Sequence, residues 1–295
     1  MKIPRGLEWW MGVPGGPEWL ASLPSIVDSC AERWSLLVGA PLEGANVSHV
    51  VGAELPDSTP AVLKINFPDT ESQHEPDALR LRDGRGAVRL LGYDEPVRAL
   101  LLERCEPGTP LWSVEDDEEA TRIAGATLRR IWRPPPAQHH FRTLAEEAAH
   151  WARDLPAQWT ALGEPFERPL VEEAVAACIE LGIDQGEQVV LHQDFHGGNV
   201  LRAEREPWLV IDPKPLVGER EFDAGSLARD RRWLLGQPGD TARLRRRLEI
   251  LSSELSLDRE RVRRWGIAHA LAWGFSGSKV EADIIESARI LVASA

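Results

Sequence analysis

His192-Gln193-Asp194-Phe195-His196-Gly197-Gly198-Asn199-Val200-Leu201, followed by Ile211-Asp212-Pro213-Lys214, decides how this chain is read. The apolar runs Val189-Val190-Leu191 and Trp208-Leu209-Val210-Ile211 each lead directly into charged residues, as short strands ending at a site do. Asp194 stands five positions before Asn199 on one tight loop, and Asp212 ends the next strand. A hairpin would therefore bring two carboxylates and an amide together. Phosphoryl transfer needs that set: one carboxylate to orient a hydroxyl and take its proton, and hard oxygen ligands for Mg²⁺ beside the phosphates.

Upstream, Lys64 lies in the apolar run Ala61-Val62-Leu63-Lys64-Ile65-Asn66-Phe67. A buried ammonium needs a partner. Glu75 is the first candidate and Glu71 the competing one, with Pro76 blurring the helix start; an edge-strand Lys facing water is the plain alternative. The 34 basic residues include only four lysines (Lys2, Lys64, Lys214, Lys279), and asparagine occurs only at 46, 66 and 199. In a chain that so favours Arg, a strand Lys calls for a reason, because a point charge and a planar fork are not interchangeable. The turn Glu43-Gly44-Ala45-Asn46-Val47-Ser48 occupies the place of a phosphate-covering loop, with one Gly where G-x-G-x-x-G has three. Its backbone N–H groups, Asn46 and Ser48 are candidate phosphate contacts, and an ordinary hairpin turn is the competing reading.

The surrounding pattern is strand-rich first and helical afterwards. A helix fits Leu20–Arg33, with Pro24 near its start. Strands then fit Leu36–Leu42, Val50–Leu55 and Ala61–Phe67, joined by two short turns as an antiparallel meander. A helix fits Glu71–Arg82, and strands fit Val88–Gly92 and Arg98–Glu103. Further helices fit Val114–Trp132 (with Ser113 and Asp116 as a capping box), Phe141–Leu162 (interrupted at Pro156), Pro169–Leu181, Asp223–Leu235, Thr241–Leu255, Asp258–Ser276 and Val280–Ala293. Asp223 reads as an N-cap. This order predicts an α+β chain of two lobes: residues 1–104, with an antiparallel sheet plus one helix behind an N-terminal helical segment, and a mostly helical 105–295.

The loop His192–Leu201 resembles the catalytic loop of aminoglycoside phosphotransferases and related small-molecule kinases, a protein-kinase-like family in which a His, here His196, replaces the usual Lys two positions after the Asp. Asp212-Pro213-Lys214, in place of Asp-Phe-Gly, is similar to the streptomycin 6-phosphotransferase and hydroxyurea phosphotransferase branch. The resemblance runs from about Trp34 to Asp230 and is densest at 189–225. It implies a bilobal kinase-like fold, Asp194 as catalytic base, Asn199 and Asp212 as Mg²⁺ ligands, and His192 as a support for the loop. It also implies Lys64 on the α/β-phosphates with Glu75 as its partner, and a hinge at Leu101-Leu102-Glu103-Arg104-Cys105 whose backbone meets the base. Glu103 and Cys105 thus join the nucleotide-binding set, with ATP as donor and GTP left open. Glu219, Glu221 and Trp273 are candidates for the acceptor cleft; a solvated loop and a core Trp are the alternatives. No Ala-Pro-Glu segment follows Asp212, which argues against a protein substrate. A metabolic kinase of a sugar, amino alcohol or hydroxyurea-like acceptor is the second enzyme reading. A catalytically silent nucleotide-binding module would be expected to have lost Lys64, Asp194, Asn199 or Asp212, and all four are present.

Composition narrows the partners. The formal charge of −13 makes a poor general binder of nucleic acid and suits a cationic small molecule. No stretch approaches the roughly 18 apolar residues of a membrane span, and Met1–Trp10 carry no signal-like apolar run. Cys30, Cys105 and Cys178 are scattered and odd in number, as free thiols in a reducing cytoplasm are. The expectation is a cytoplasmic monomer or weak homodimer.

Overall fold

Alternation along the chain builds the first lobe. The computed structural model describes residues 5–42, 44–231, 239–276 and 279–295. Strands β1 (Leu37–Pro41), β2 (His49–Glu54) and β3 (Pro60–Ile65) form the meander. Strands β4 (Leu90–Asp94) and β5 (Ala99–Glu103) complete an antiparallel five-stranded sheet in the order β1-β2-β3-β5-β4. Val51, Leu63, Ile65 and Ala99 point to one face, against Leu7, Trp10, Trp19, Leu23 and Val27 of the N-terminal segment and helix α1 (Gly16–Trp34). Successive strand residues alternate faces, so Lys64 must point the other way, level with Val50 on β2 and Leu100 on β5.

Local sequence placed the helices but not always their ends. Helix α1 starts at Gly16 and carries Pro24 in its interior. Its apolar stripe of Trp19, Leu20, Leu23, Val27 and Cys30 outweighs the lost hydrogen bond. Helix α2 (Glu75–Arg82) begins four residues later than the pattern suggests, with Pro76 in its first turn, where a missing N–H costs nothing. Glu71 is therefore left in the preceding loop. Asp116, not Ser113, caps α3 (Asp117–Ile131), accepting from Glu119 N at 2.7 Å.

The second part starts with α3 and continues through β6 (Arg142–Thr143), α4 (Leu144–Ala161), α5 (Arg168–Ile183), β7 (Gln188–Val190), β8 (Val200–Arg202), β9 (Trp208–Val210), β10 (Leu216–Glu219) and α6 (Glu221–Ala228). It ends with α7 (Asp240–Leu255), α8 (Arg259–Trp273), β11 (Phe275–Ser276), β12 (Lys279–Val280) and α9 (Ala282–Val292). Pro156 does not interrupt α4, whose start is fixed by a Thr143/Glu146 capping box. The helix expected over Asp223–Leu235 starts earlier and ends at Ala228, followed by Arg229 as its C-cap, and residues 232–235 lie outside the described residues. Helix α8 is the core of this part: Val262, Trp265, Ile267, Ala268, Ala270 and Leu271 are fully buried. β10 pairs with β7 and β6 in a small sheet that the sequence pattern did not reveal, so the strand before the 192–199 loop does not pair with β9 as the pattern suggests; β9 pairs instead with β8, directly after that loop.

Backbone and side-chain bonds tie the two parts together beneath the site. Val88 N donates to Val210 O (3.0 Å) and Val210 N to Gly86 O (2.9 Å), so the segment after α2 adds to the β9 edge. Arg82, at the end of α2 and 1% exposed, donates to Leu191 O at 3.2 Å.

The N-terminal three-ten segment Arg5–Gly12 fastens the turn between β1 and β2. Trp9 Nε1 donates to Asn46 O (2.7 Å) and Trp10 Nε1 to Val47 O (3.0 Å). The Trp10 ring stacks on Phe67 at 4.0 Å. Removing this buried ring by Trp10→Ala is expected to cost about 3–5 kcal/mol in urea denaturation. Trp9→Phe, which removes the Nε1 donor and trims a half-exposed ring, should cost less, about 0.5–1.5 kcal/mol. Faster amide exchange at Val47 and Ser48 in both variants would report the loosened turn.

Candidate active site

The site starts from a charge that the sheet drives inward. The Lys64 ammonium, with 7% side-chain exposure, donates to both Glu75 oxygens (2.7 and 2.8 Å) and to Asp212 Oδ1 (2.5 Å). Glu75 is the partner, and Glu71 is not. Glu75 also accepts from Asn66 Nδ2 (2.7 Å), and Asn66 Oδ1 accepts from Ser48 Oγ (2.6 Å). A continuous chain of polar contacts thus links the β1–β2 turn, α2 and the strand-ending Asp212. Burial opposes the charge on both Lys64 and Asp212, and their mutual attraction outweighs it. The Lys64 pKa is raised above its ordinary range, and Asp212, with Lys64 and Lys214 beside it, is held down at about 2.

The β8–β9 hairpin brings the other predicted residues to the same place. Ile211 N donates to Asn199 O at 3.0 Å, which sets Asn199 beside Asp212 across the hairpin. Asn199 Nδ2 donates to Asp194 O at 3.0 Å. The amide nitrogen is thereby spent on the loop, leaving Asn199 Oδ1 as an acceptor. An amide oxygen and a carboxylate are hard donors that fit Mg²⁺, and two protein ligands suit an ion completed by phosphate and water oxygens. Among the described residues no cluster of three or more His, Cys, Asp or Glu forms an all-protein metal cage. Asp194 is part-buried, and its Oδ1 lies 3.7 Å from His196 Nε2. Gln193 and Asp212 take left-handed backbone (φ +67° and +58°), a conformation that surrounding bonds must hold.

Those bonds come from residues that sequence reasoning gave a different part or none. Asp223 is not an N-cap: it lies inside the first turn of α6, fully buried. Its carboxylate accepts from His192 N (2.9 Å), Gln193 N (2.9 Å) and Trp132 Nε1 (3.0 Å). Asp230 holds the other end of the loop, accepting from Gly197 N (2.7 Å) and Trp112 Nε1 (2.9 Å). Trp112 stacks on His196 at 5.2 Å and 12°. Nothing in local sequence marks Asp230 or Trp112, because both act across more than 30 residues. His192 is fully buried and donates from Nε2 to Ile211 O at 2.9 Å, so it braces the catalytic loop against the strand that carries Asp212.

Other candidates sit elsewhere. Glu219 is a correction: it is fully buried and held by Arg261, Trp265 Nε1 and Gly186 N (2.9 Å to the last), so no oxygen remains for an acceptor. Glu221, at the start of α6, is half-buried against Asp258 N, and burial raises its pKa. Trp273, by contrast, lies in the site, its ring 4.6 Å from the Lys214 ammonium. The Glu103 carboxylate is taken by Arg205 (2.7 and 2.8 Å) and Arg89 N (2.9 Å), and burial pushes the Cys105 thiol up to about 12. A base bound at the hinge would therefore meet backbone at these two positions and not their side chains. Asn46 presents its backbone oxygen to Trp9, and Ser48 its hydroxyl to Asn66.

His192 makes the fold pH-sensitive. Burial, then the neighbouring Arg82, hold its pKa down at about 3. The unfolded chain takes up a proton near pH 6.5 that the native state refuses, so stability falls as pH drops below that value. The expected contribution is a slope of up to about 1.4 kcal/mol per pH unit. His192→Gln keeps a donor toward Ile211 O, and urea denaturation between pH 6.5 and 4.5 should show it losing stability less steeply than the parent.

With this geometry in hand, the relatives are informative. The sequence matches the family described as aminoglycoside/hydroxyurea antibiotic resistance kinase over residues 33–282. It is 38% identical to a streptomycin 6-kinase of Streptomyces griseus over 92% of this chain and 89% of that protein. It is 37% identical to a hydroxyurea phosphotransferase of Kitasatospora aureofaciens over 88% of this chain and 74% of that one. In three dimensions it is similar, at a TM-score of 0.63 and 15% identity, to a thermostable mutant of an aminoglycoside phosphotransferase solved with ADP and hygromycin B; the match covers 90% of this chain and 97% of that one. No helix among the described residues is long and apolar enough to cross a membrane. The chain belongs to the aminoglycoside/hydroxyurea antibiotic resistance kinase family and is a phosphotransferase on the bilobal α+β, protein-kinase-like fold.

Proposed function

We propose that this protein transfers the γ-phosphate of ATP, with Mg²⁺, to a hydroxyl of a streptomycin-like aminoglycoside. The observation that carries the chemistry is the junction where Lys64 bridges Glu75 and Asp212 beside the Asp194–Asn199 loop. Lys64, aimed by β3, would take the α/β-phosphates once they enter. Asn199 Oδ1 and the Asp212 carboxylate would hold Mg²⁺, whose part is to neutralise charge on the β- and γ-phosphates. Asp194 orients the acceptor hydroxyl and receives its proton. Positioning and electrostatics carry the rate, since the protein forms no bond to the phosphorus.

The acceptor is argued from kinship and charge. Two streptomycin 6-kinases are 37–38% identical to this chain, and the formal charge of −13 favours a polycation over an anion. The hydroxyurea phosphotransferase at 37% identity supports hydroxyurea as the second acceptor to test. Within the cleft, Trp273 is the proposed acceptor-facing aromatic.

Acceptor-dependent ADP release across streptomycin, other aminoglycosides, hydroxyurea, sugars and amino alcohols tests the reading, and streptomycin is expected to give the highest kcat/KM. Stabilisation by Mg-ATP with no acceptor-dependent turnover would sink it in favour of a nucleotide-binding module. Asp194→Ala should lower kcat by about 10²–10⁴-fold with Mg-ATP binding nearly unchanged. Asp212→Ala should instead abolish the Mg²⁺-dependent part of nucleotide binding, measured by calorimetry with and without the metal.

A further inference from the structure

Lys214 has no part in the scheme above, yet it lies inside the site. Its ammonium is 3.2 Å from Glu71 Oε2, 3.7 Å from Asp194 Oδ2 and 4.6 Å from the centre of the Trp273 ring. Trp273 is itself stacked at 5.0 Å on His269, which is fully buried. Lys214 N donates to His192 O at 3.0 Å, so the residue is anchored to the catalytic loop. Pro213 and Pro215 on either side restrict the backbone further.

This cation sits among three carboxylates, Asp194, Glu71 and Asp212. The Lys214 side chain is 12% exposed, while Glu71, its closest counter-ion, is 47% exposed and sits on the loop before α2. The exposed Glu71 carboxylate contributes little, and the mostly buried Asp194, 3.7 Å away, is the ion-pair partner that faces the reacting centre. A buried ammonium that loses the charge of one carboxylate partner gains strongly from an anion placed beside it. The only anion that the reaction brings next to Asp194 is the phosphoryl group in transit.

We propose that Lys214 is a second catalytic cation, touching the phosphoryl group on its acceptor side while Lys64 holds the donor phosphates. The inference rests on the phosphotransferase reading above. In the step, the acceptor oxygen bonds to the γ-phosphorus as the bond from phosphorus to the bridging oxygen of the nucleoside diphosphate breaks, and the hydroxyl proton passes to Asp194. Asp194 thereby loses its charge as the phosphate arrives at the acceptor. Lys214 gives up one counter-ion and gains another at that moment, an attraction stronger in the transition state than before it.

The test is Lys214→Met and Lys214→Gln, each titrated with Mg-ADP and with the Mg complex of a β,γ-imido ATP analogue, alongside melting curves and turnover. We expect kcat to fall about 10²–10³-fold, as for loss of one transition-state donor. Analogue affinity should fall about tenfold while Mg-ADP affinity is kept, and Lys214→Arg, which retains the charge, should recover part of both losses. Either variant suffices if the other fails to fold. Equal weakening of ADP and analogue, or turnover at the parent's rate, overturns the proposal. Should the parent turn over no acceptor, the reaction assignment fails, and the analogue-to-ADP affinity ratio still decides whether Lys214 meets the γ-phosphate.

Discussion

The structure is organised around one ammonium that has nowhere else to go. Lys64 stands on a central strand whose opposite face is packed with Leu63 and Ile65, so it projects into the interlobe space and must be paired there. Its two partners come from α2 and from the end of β9, elements distant in sequence. Removing one partner of a buried ion pair typically costs about 3–5 kcal/mol, which makes the relative placement of sheet, helix and hairpin a single coupled choice.

A second layer holds the catalytic loop in a backbone shape that it would not adopt alone. Gln193 and Asp212 both sit at positive φ. Asp223 grips the start of the loop through two backbone N–H groups, Asp230 grips Gly197, and His192 ties the loop to Ile211. Asp223 is wholly buried, and burial pushes its pKa up; three donors aimed at one carboxylate keep it useful as a fixed acceptor. Rigidity of this kind is what a mechanism based on positioning requires.

The surroundings of Asp194 are built differently, from groups at longer range. Lys214 and His196 each lie 3.7 Å from the Asp194 carboxylate, and the Trp273 ring lies 4.6 Å from the Lys214 ammonium. The Lys64 junction, by contrast, is closed by contacts of 2.5 to 2.8 Å.

Sequence alone determined the meander and brought Asp194, Asn199, Asp212 and Lys64 forward as candidates. It could do so because strand alternation and short turns are local, and because the motif is contiguous. It left Glu71 and Glu75 as rivals, since the first turn of a helix tolerates Pro76 and the register of α2 depends on what it packs against. It also assigned Glu219 to the acceptor side and Asp223 to a cap. Only tertiary structure decided these: Glu219 is claimed by Arg261 and Trp265 from α8, and Asp223 reaches back to His192 across 31 positions. The partners of Lys214 were equally hidden, because a charge acquires its role from whatever distant elements surround it, and spacing along the chain does not record distance in space.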